Sequence, residues 1–188
     1  MSGNVSKQAN RINIKNPVFA ILTTDTKDSI SYGEVTSLGD AMQVQVTPTL
    51  SAGTLYGNGM QKENISKIVG IALVLDVNKV PIENRAKILG HTYASGILHV
   101  KPGDQAPYMA VGYEVDETNG ATEYTWLFKG RAQPFNGTVQ QSTENINFST
   151  DSITINFIAR EYDGELYQIA DTANADFSQE DWMTSVPG

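Results

Sequence analysis

The stretch that decides the fold is residues 68–93, IVGIALVLDVNKVPIENRAKILGHTY. Its first part, residues 68–75, is a continuous apolar run typical of a buried strand. Its second part predicts a single short helix over residues 81–89. Because the remainder of the chain is dominated by strands and turns, this segment indicates an almost all-β domain with one internal helix.

Local rules place the ends of this helix. Pro81 suits the first helical position, where its missing N–H removes no hydrogen bond. Gly90 is expected to end the helix in a left-handed conformation. A nine-residue helix is not stable alone, so its apolar stripe must pack on the sheet. The predicted stripe consists of Ile82, Ala86 and Leu89.

Period-two alternation of apolar and polar residues predicts most of the other elements as strands. The predicted strands are residues 17–24, 29–35, 41–47, 108–115, 121–129, 152–160 and 166–170. The fold class is therefore mainly β, a β-sandwich or partly closed barrel with one short flanking α-helix. Its length is typical of a single domain. We assign residues 1–170 to this domain and residues 171–188 to an acidic C-terminal tail.

The charge of the chain is concentrated at its end. The net charge is −8, yet all 13 Lys and Arg lie at or before Arg160, and seven carboxylates follow that residue. A broad basic patch for nucleic acid is therefore not expected. An acidic end most often forms a solvated segment. Trp182 would dock this segment on the domain; otherwise the segment would be disordered.

The sequence offers little catalytic chemistry. It contains no cysteine and two histidines, His91 and His99, whose spacing fits neither a metal site nor a triad. The glycines at 57–59 lack the lysine of a phosphate-binding loop. We therefore expect no enzyme activity, no cofactor and no metal. No secretory leader or membrane span is predicted, so synthesis in the cytoplasm is expected.

Residues 48–66 differ in composition from the rest of the chain, because glycines are mixed with scattered large apolar residues. They form either a loop or a long irregular hairpin. A loop of this length inside a compact domain usually has a function. The segment is then an inter-subunit element, or else an ordinary hairpin covered by its own domain. The candidate inter-subunit contacts are Leu50, Leu55, Tyr56 and Met60.

The chain as a whole resembles the major tail proteins of siphophages that infect Gram-positive bacteria, the phi13-type family. The resemblance spans nearly the full length and depends on the order and spacing of its motifs. It is carried by NPVFA (16–20), YGE (32–34), LVLD (73–76), VPIENRAKILGHTY (80–93), PYMAVGY (107–113), YTWLFKG (124–130), FIAR (157–160), DG (163–164) and DWM (181–183).

This resemblance implies a tail tube subunit in the phage virion, assembled in the host cytoplasm. Such subunits form hexameric rings that stack into a hollow tube, through which double-stranded DNA passes without specific binding. The implied partners are further copies of the chain, the tape-measure protein and the tail-terminator protein, without a membrane. An acidic subunit suits such a conduit because a negative wall repels phosphate.

The alternation of polar and apolar residues is the basis for predicting which residues line the bore of the tube. The preferred candidates are the polar positions Gln43, Gln45 and Thr47, with Gln141, Thr143 and Asn145 as weaker alternatives. Met42 and Val44 alternate with the preferred set and should face away from the bore.

Two rival interpretations remain at this point. A carbohydrate-binding or adhesin-like β-sandwich module, on a virion or cell surface, would expose an aromatic platform such as Tyr124 and Trp126. The aromatic stripe of that strand is more typical of core packing. A small β-barrel enzyme or ligand carrier has no polar cluster in its favour.

Overall fold

The computed structural model describes residues 9–58, 60–137, 150–174, 177 and 182–188. Twelve strands and one helix are assigned within these residues. In chain order they are β1 (Arg11–Asp25), β2 (Ile30–Tyr32), β3 (Thr36–Ser37), β4 (Ala41–Gly57), β5 (Met60–Val77), α1 (Ile82–Leu89), β6 (Thr92–Ala94), β7 (Ile97–His99), β8 (Met109–Glu117), β9 (Thr122–Ala132), β10 (Asn136–Gly137), β11 (Asp151–Ile158) and β12 (Tyr167–Asp171).

Ten of the strands form one antiparallel sheet in the order β2-β1-β8-β9-β11-β5-β4, with β3, β10 and β12 pairing beside β1, β11 and β9. Strands β6 and β7 form a separate hairpin. The large sheet is not closed into a barrel, so the fold is mainly β and sandwich-like with one short helix. The predicted fold class is confirmed.

Apolar residues pack on both sides of the central β8–β9 pair, because neighbouring residues of a strand point to opposite faces. The larger cluster lies inside the folded sheet and includes Leu73, Val111 and Leu127. The smaller cluster lies on the opposite face around Trp126 and Phe128, which are both fully buried.

The helix is one residue shorter than predicted, and its buried residues agree only in part with the predicted stripe. It begins at Ile82, and Pro81 is the extended N-cap residue (φ −52°, ψ 139°), so its placement at the first helical position was wrong. Ala86 and Leu89 are buried, but Ile82 is 47% exposed. Ile88, which was not in the predicted stripe, is fully buried with Ala86 and Leu89.

Gly90 ends the helix in the predicted left-handed conformation, with φ 71°. A side chain there would also collide with the backbone oxygen of Gln105. Both the backbone angle and the close approach therefore require glycine.

The end of the chain is anchored on the smaller cluster. Trp182 is buried and its backbone oxygen accepts a hydrogen bond of 3.0 Å from Trp126 Nε1. Arg160 stacks over the Phe128 ring and donates a 2.7 Å hydrogen bond to the Pro187 oxygen. The prediction that Trp182 docks the C-terminal segment is confirmed for residues 182–188.

Candidate assembly surface

The sequence left two alternatives for residues 48–66, a loop or a long hairpin. In the structure these residues form the outer half of the β4–β5 hairpin. Strand β11 pairs with β5 only from Ile71 to Val77. Beyond that point β4 and β5 pair with each other alone within the described residues. Residues 48–69, here called the arm, thus extend about 30 Å beyond the sheet at 3.3 Å per residue. The arm is a hairpin, and the described residues of the domain leave it exposed.

The arm exposes large apolar side chains. Every residue from 45 to 69 whose burial is described is exposed. The four candidate contacts are exposed by 60% for Leu50, 60% for Leu55, 70% for Tyr56 and 62% for Met60. The last three meet at the tip, where Tyr56 lies opposite Gln61 and Gly57 opposite Met60. Leu50 lies nearer the sheet.

Sequence reasoning missed part of this surface. Ile68 and Val69 were assigned to the buried strand, but they are 47% and 51% exposed, so the buried part of β5 begins at Gly70. The register shifts here, because Thr49 pairs with Gly70 and Leu50 with Ile68, which leaves Val69 as a bulge. A β-bulge re-aims the strand that carries it. Gly70, inside the apolar run, is the sequence feature that could have indicated this bulge, because a glycine within a strand often marks one.

The three polar bore candidates occupy one face of the sheet. Gln43, Gln45 and Thr47 are exposed, and in the register they lie opposite Asp76, Val74 and Ala72 of β5. Val44 and Val46 pair with the buried Leu75 and Leu73 on the other face. Met42 is displaced by the bulge between Ala41 and Gln43 and is 60% exposed.

This polar face continues across β11, where Thr154 lies beside Val74 and Asn156 beside Ala72. Its side chains are mostly short and uncharged, and its charged members on the strands described are Asp76, Arg131 and Lys129, of which Lys129 pairs with Asp25. Such a wall offers hydrogen bonds but few charges. The weaker candidates Gln141, Thr143 and Asn145 lie outside the described residues.

The aromatic stripe of β9 belongs to the core. Trp126 and Phe128 are fully buried, and Tyr124 packs 6.1 Å from the Trp182 ring and 6.2 Å from the Phe177 ring. The exposed platform required by a carbohydrate-binding module on Tyr124 and Trp126 does not exist, so that rival interpretation loses its support.

The titratable groups form structural contacts. His91 Nδ1 lies 2.8 Å from Asp104 Oδ2, and the Lys101 backbone N–H donates to the same oxygen. The backbone N–H of Lys101, followed by His91, lowers the pKa of Asp104. His99 is exposed on β7. Among the described residues, no group of three or more His, Asp or Glu could hold a metal ion.

A buried ion pair among the described residues joins Asp25, at the end of β1, to Lys129 of β9. Lys129 Nζ lies 2.7 Å from Asp25 Oδ2, with 9% and 5% of the two side chains exposed. Asp25 also accepts hydrogen bonds from the backbone N–H groups of Glu161 and Tyr162 at 3.0–3.2 Å. Burial alone would raise the pKa of Asp25, but these donors together lower it.

The fold and this surface define a β domain that carries a long exposed hairpin and a broad polar sheet face. The chain belongs to the phage tail tube protein family, whose family model matches residues 26–188. Members of this family are structural proteins of the virion tail that assemble into a multi-subunit tube. No curated protein matches the chain. In the described residues, no helix has the length and apolar character needed to span a membrane.

Proposed function

We propose that this chain is the major subunit of a siphophage tail tube, that it assembles as stacked hexameric rings, and that it forms the conduit for DNA ejection. The observation that carries the proposal is the arm, which exposes Leu55, Tyr56 and Met60 by 60–70%. Fully burying one such side chain stabilises an assembly by about 1.5–3 kcal/mol. Neighbouring subunits would bury all of them.

Unpaired strand edges support the same proposal. Both edges of the arm lack a partner strand within the described residues, and such edges are templates for pairing with another chain. In a tube these edges would no longer be exposed, since each subunit would cover the strand edges of its neighbours.

The polar face of Gln43, Gln45 and Thr47 would line the bore in this arrangement. Strong binding to DNA requires clustered cations that neutralise phosphates. On the described part of this face Asp76 offsets Arg131, and Lys129 is already paired with Asp25, so no cluster of free cations would hold the phosphates and a duplex could slide along it. In this proposal the chain has no catalytic role and no cofactor, it is assembled in the host cytoplasm, and it contacts the tape-measure and tail-terminator proteins.

Electron microscopy of the purified protein tests the proposal. The wild type should form rings or tubes with an open bore. The triple variant Leu55→Ser, Tyr56→Ser, Met60→Ser should remain a folded monomer, because these side chains are exposed in the subunit. The matched control Gln61→Ser, Asn64→Ser changes exposed polar residues of the same arm and should still assemble. Equal assembly by both variants would contradict the proposal.

A further inference from the structure

The C-terminal residues that follow Met183 lie beside the last strand of the large sheet. That strand, β2, ends the strand order and pairs with β1 alone within the described chain. Residues 184–188, here called the strap, face it across a cleft of about 490 Å³. A methyl group on Gly188 would lie 3.9 Å from Ile30 Cγ2, so the end of the strap reaches this strand.

The cleft follows the free edge of β2 rather than one of its faces. Its lining includes the consecutive residues Ile30, Ser31 and Tyr32, whose side chains alternate between the two faces of the sheet. A free edge presents backbone groups that can pair with another chain. A strand paired with β2 would lie about 4.8 Å from it, in the space that the cleft and the strap now occupy. The strap must therefore move before another strand can pair with β2.

Most of the strap is exposed rather than packed. Three of its five residues are exposed, and Val186 is half-buried against the smaller cluster. The Pro187 backbone oxygen accepts the 2.7 Å hydrogen bond from Arg160. The buried Trp182 precedes the strap in the chain and anchors the segment independently of it. The strap can therefore leave the surface while Trp182 stays in place.

The contacts beneath the strap persist without it. Arg160 also donates to both carboxylate oxygens of Asp163, and its guanidinium stacks on the Phe128 ring. This buried cation stays paired when the strap leaves, so no buried charge is left alone. The Tyr32 hydroxyl donates to the Phe128 backbone oxygen at 3.3 Å, which holds β2 in place. Release of the strap is therefore compatible with a folded subunit.

The position of β2 in the sheet indicates which chain the strap would exclude. The strand order runs from β2 at one end to β4 at the other, and β4 carries the arm. A ring of identical subunits joins two different surfaces of the same chain. When the arm end supplies one of these surfaces, the free edge of β2 lies at the opposite end to supply the other. The strap then competes with a second copy of this chain.

We propose that the strap restrains self-assembly: it covers the edge of β2 in the free subunit and is displaced when a strand of a second copy pairs there. Covering a sheet edge with a loop is a common way to prevent edge-to-edge pairing. A releasable cover delays this pairing without abolishing it. The inference rests on the proposed tube function and concerns the regulation of that assembly.

A reversible disulfide tests whether the strap must move, because the chain contains no cysteine of its own. In the variant Ile30→Cys, Gly188→Cys, oxidation links the strap to β2, and non-reducing electrophoresis verifies that the link lies within one chain. The concentration required for assembly rises as the competent fraction of subunits falls, so the oxidised variant should require at least about tenfold more protein than the reduced one. The two single variants are the matched controls and should assemble equally with and without reductant.

Truncation gives a second measurement that needs no cysteine. A chain that ends at Met183 lacks the strap and should assemble at a concentration about threefold or more below that of the wild type, because every subunit then has a free edge. A chain that ends at Pro187 is the matched control, since it retains the backbone oxygen that Arg160 binds. It should assemble at the wild-type concentration. Thermal unfolding checks that both chains are folded.

The outcomes separate this inference from the proposed function. Tubes that form equally well from the oxidised and reduced double variant would overturn the inference and leave the tube function standing. Shapeless aggregates of the truncated chain in place of tubes would also overturn it, since the strap would then only prevent aggregation. If neither the wild type nor the truncated chain forms rings or tubes, both the inference and the tube function fail.

Discussion

The buried pair of Asp25 and Lys129 gives the sharpest stability prediction, because Lys129 has two carboxylate neighbours in contrasting surroundings. Asp25 is 2.7 Å from the Lys129 nitrogen and its side chain is 5% exposed. Glu161 is 3.5 Å from the same nitrogen, but its side chain is 65% exposed. Comparing Asp25→Asn with Glu161→Gln therefore isolates the effect of burial.

The expected magnitudes differ severalfold. Breaking a buried ion pair costs about 3–5 kcal/mol, and Asp25→Asn should lie near the lower end because the amide oxygen still accepts from the Glu161 and Tyr162 backbone. An exposed pair contributes about 0–1 kcal/mol. With a urea m-value of about 2 kcal/mol/M, the midpoint should fall by about 1.5 M for Asp25→Asn and by less than about 0.5 M for Glu161→Gln.

Urea unfolding at pH 7, under conditions that keep the protein monomeric, measures both shifts. The double variant Asp25→Leu, Lys129→Met should be closer to wild type than Asp25→Asn, because replacing both charges leaves neither buried alone. Equal midpoints for Asp25→Asn and Glu161→Gln would refute the argument from burial.

The same pair has a pH signature. A lowered carboxyl pKa stabilises the folded state above its unfolded value of about 3.9. This contribution is lost as the pH falls through the folded pKa of Asp25. Asp25→Asn should therefore flatten the acid limb of the stability curve below about pH 4. An unchanged acid limb would mean that other carboxylates cause the loss of stability at low pH.

Two further predictions concern packing. Gly130→Ala would place a methyl group about 2.5 Å from the Phe157 ring and should lower the free energy of unfolding by about 1–3 kcal/mol or more. The control Gly53→Ala meets nothing within 4 Å and should be nearly neutral. Thermal unfolding of the two variants compares these effects. Trp182→Ala should cost about 3–5 kcal/mol, because Trp182 closes the smaller cluster. Its unfolding can be followed by the fluorescence of Trp126, the one tryptophan that remains, and a loss under 1 kcal/mol would mean that the C-terminal segment does not stabilise the domain.

Features set by neighbouring residues were predictable from the sequence. The left-handed end of α1 at Gly90 follows from backbone sterics alone. Alternation also separated Gln43 and Gln45 from Val44 and Val46, because strand period is a local property. The burial of Trp126 agreed with the bulk of its side chain.

Features that depend on distant residues were not predictable. The residues Ile68 and Val69 are as apolar as Leu73, but in the described part of the chain the pairing of β11 with β5 ends at Ile71, and the sequence does not record that limit. Ile82 has the same apolar character as Ile88, but Ile82 begins the helix and is 47% exposed, whereas Ile88 packs in the larger cluster.

The most direct test of the central claim is an electron cryomicroscopy reconstruction of the assembled protein at a resolution that shows side chains. The account predicts six subunits in each ring and an open bore lined by Gln43, Gln45 and Thr47, with the arms buried between subunits. A tube whose bore is lined by Met42 and Val44, or arms that project freely from its surface, would contradict it.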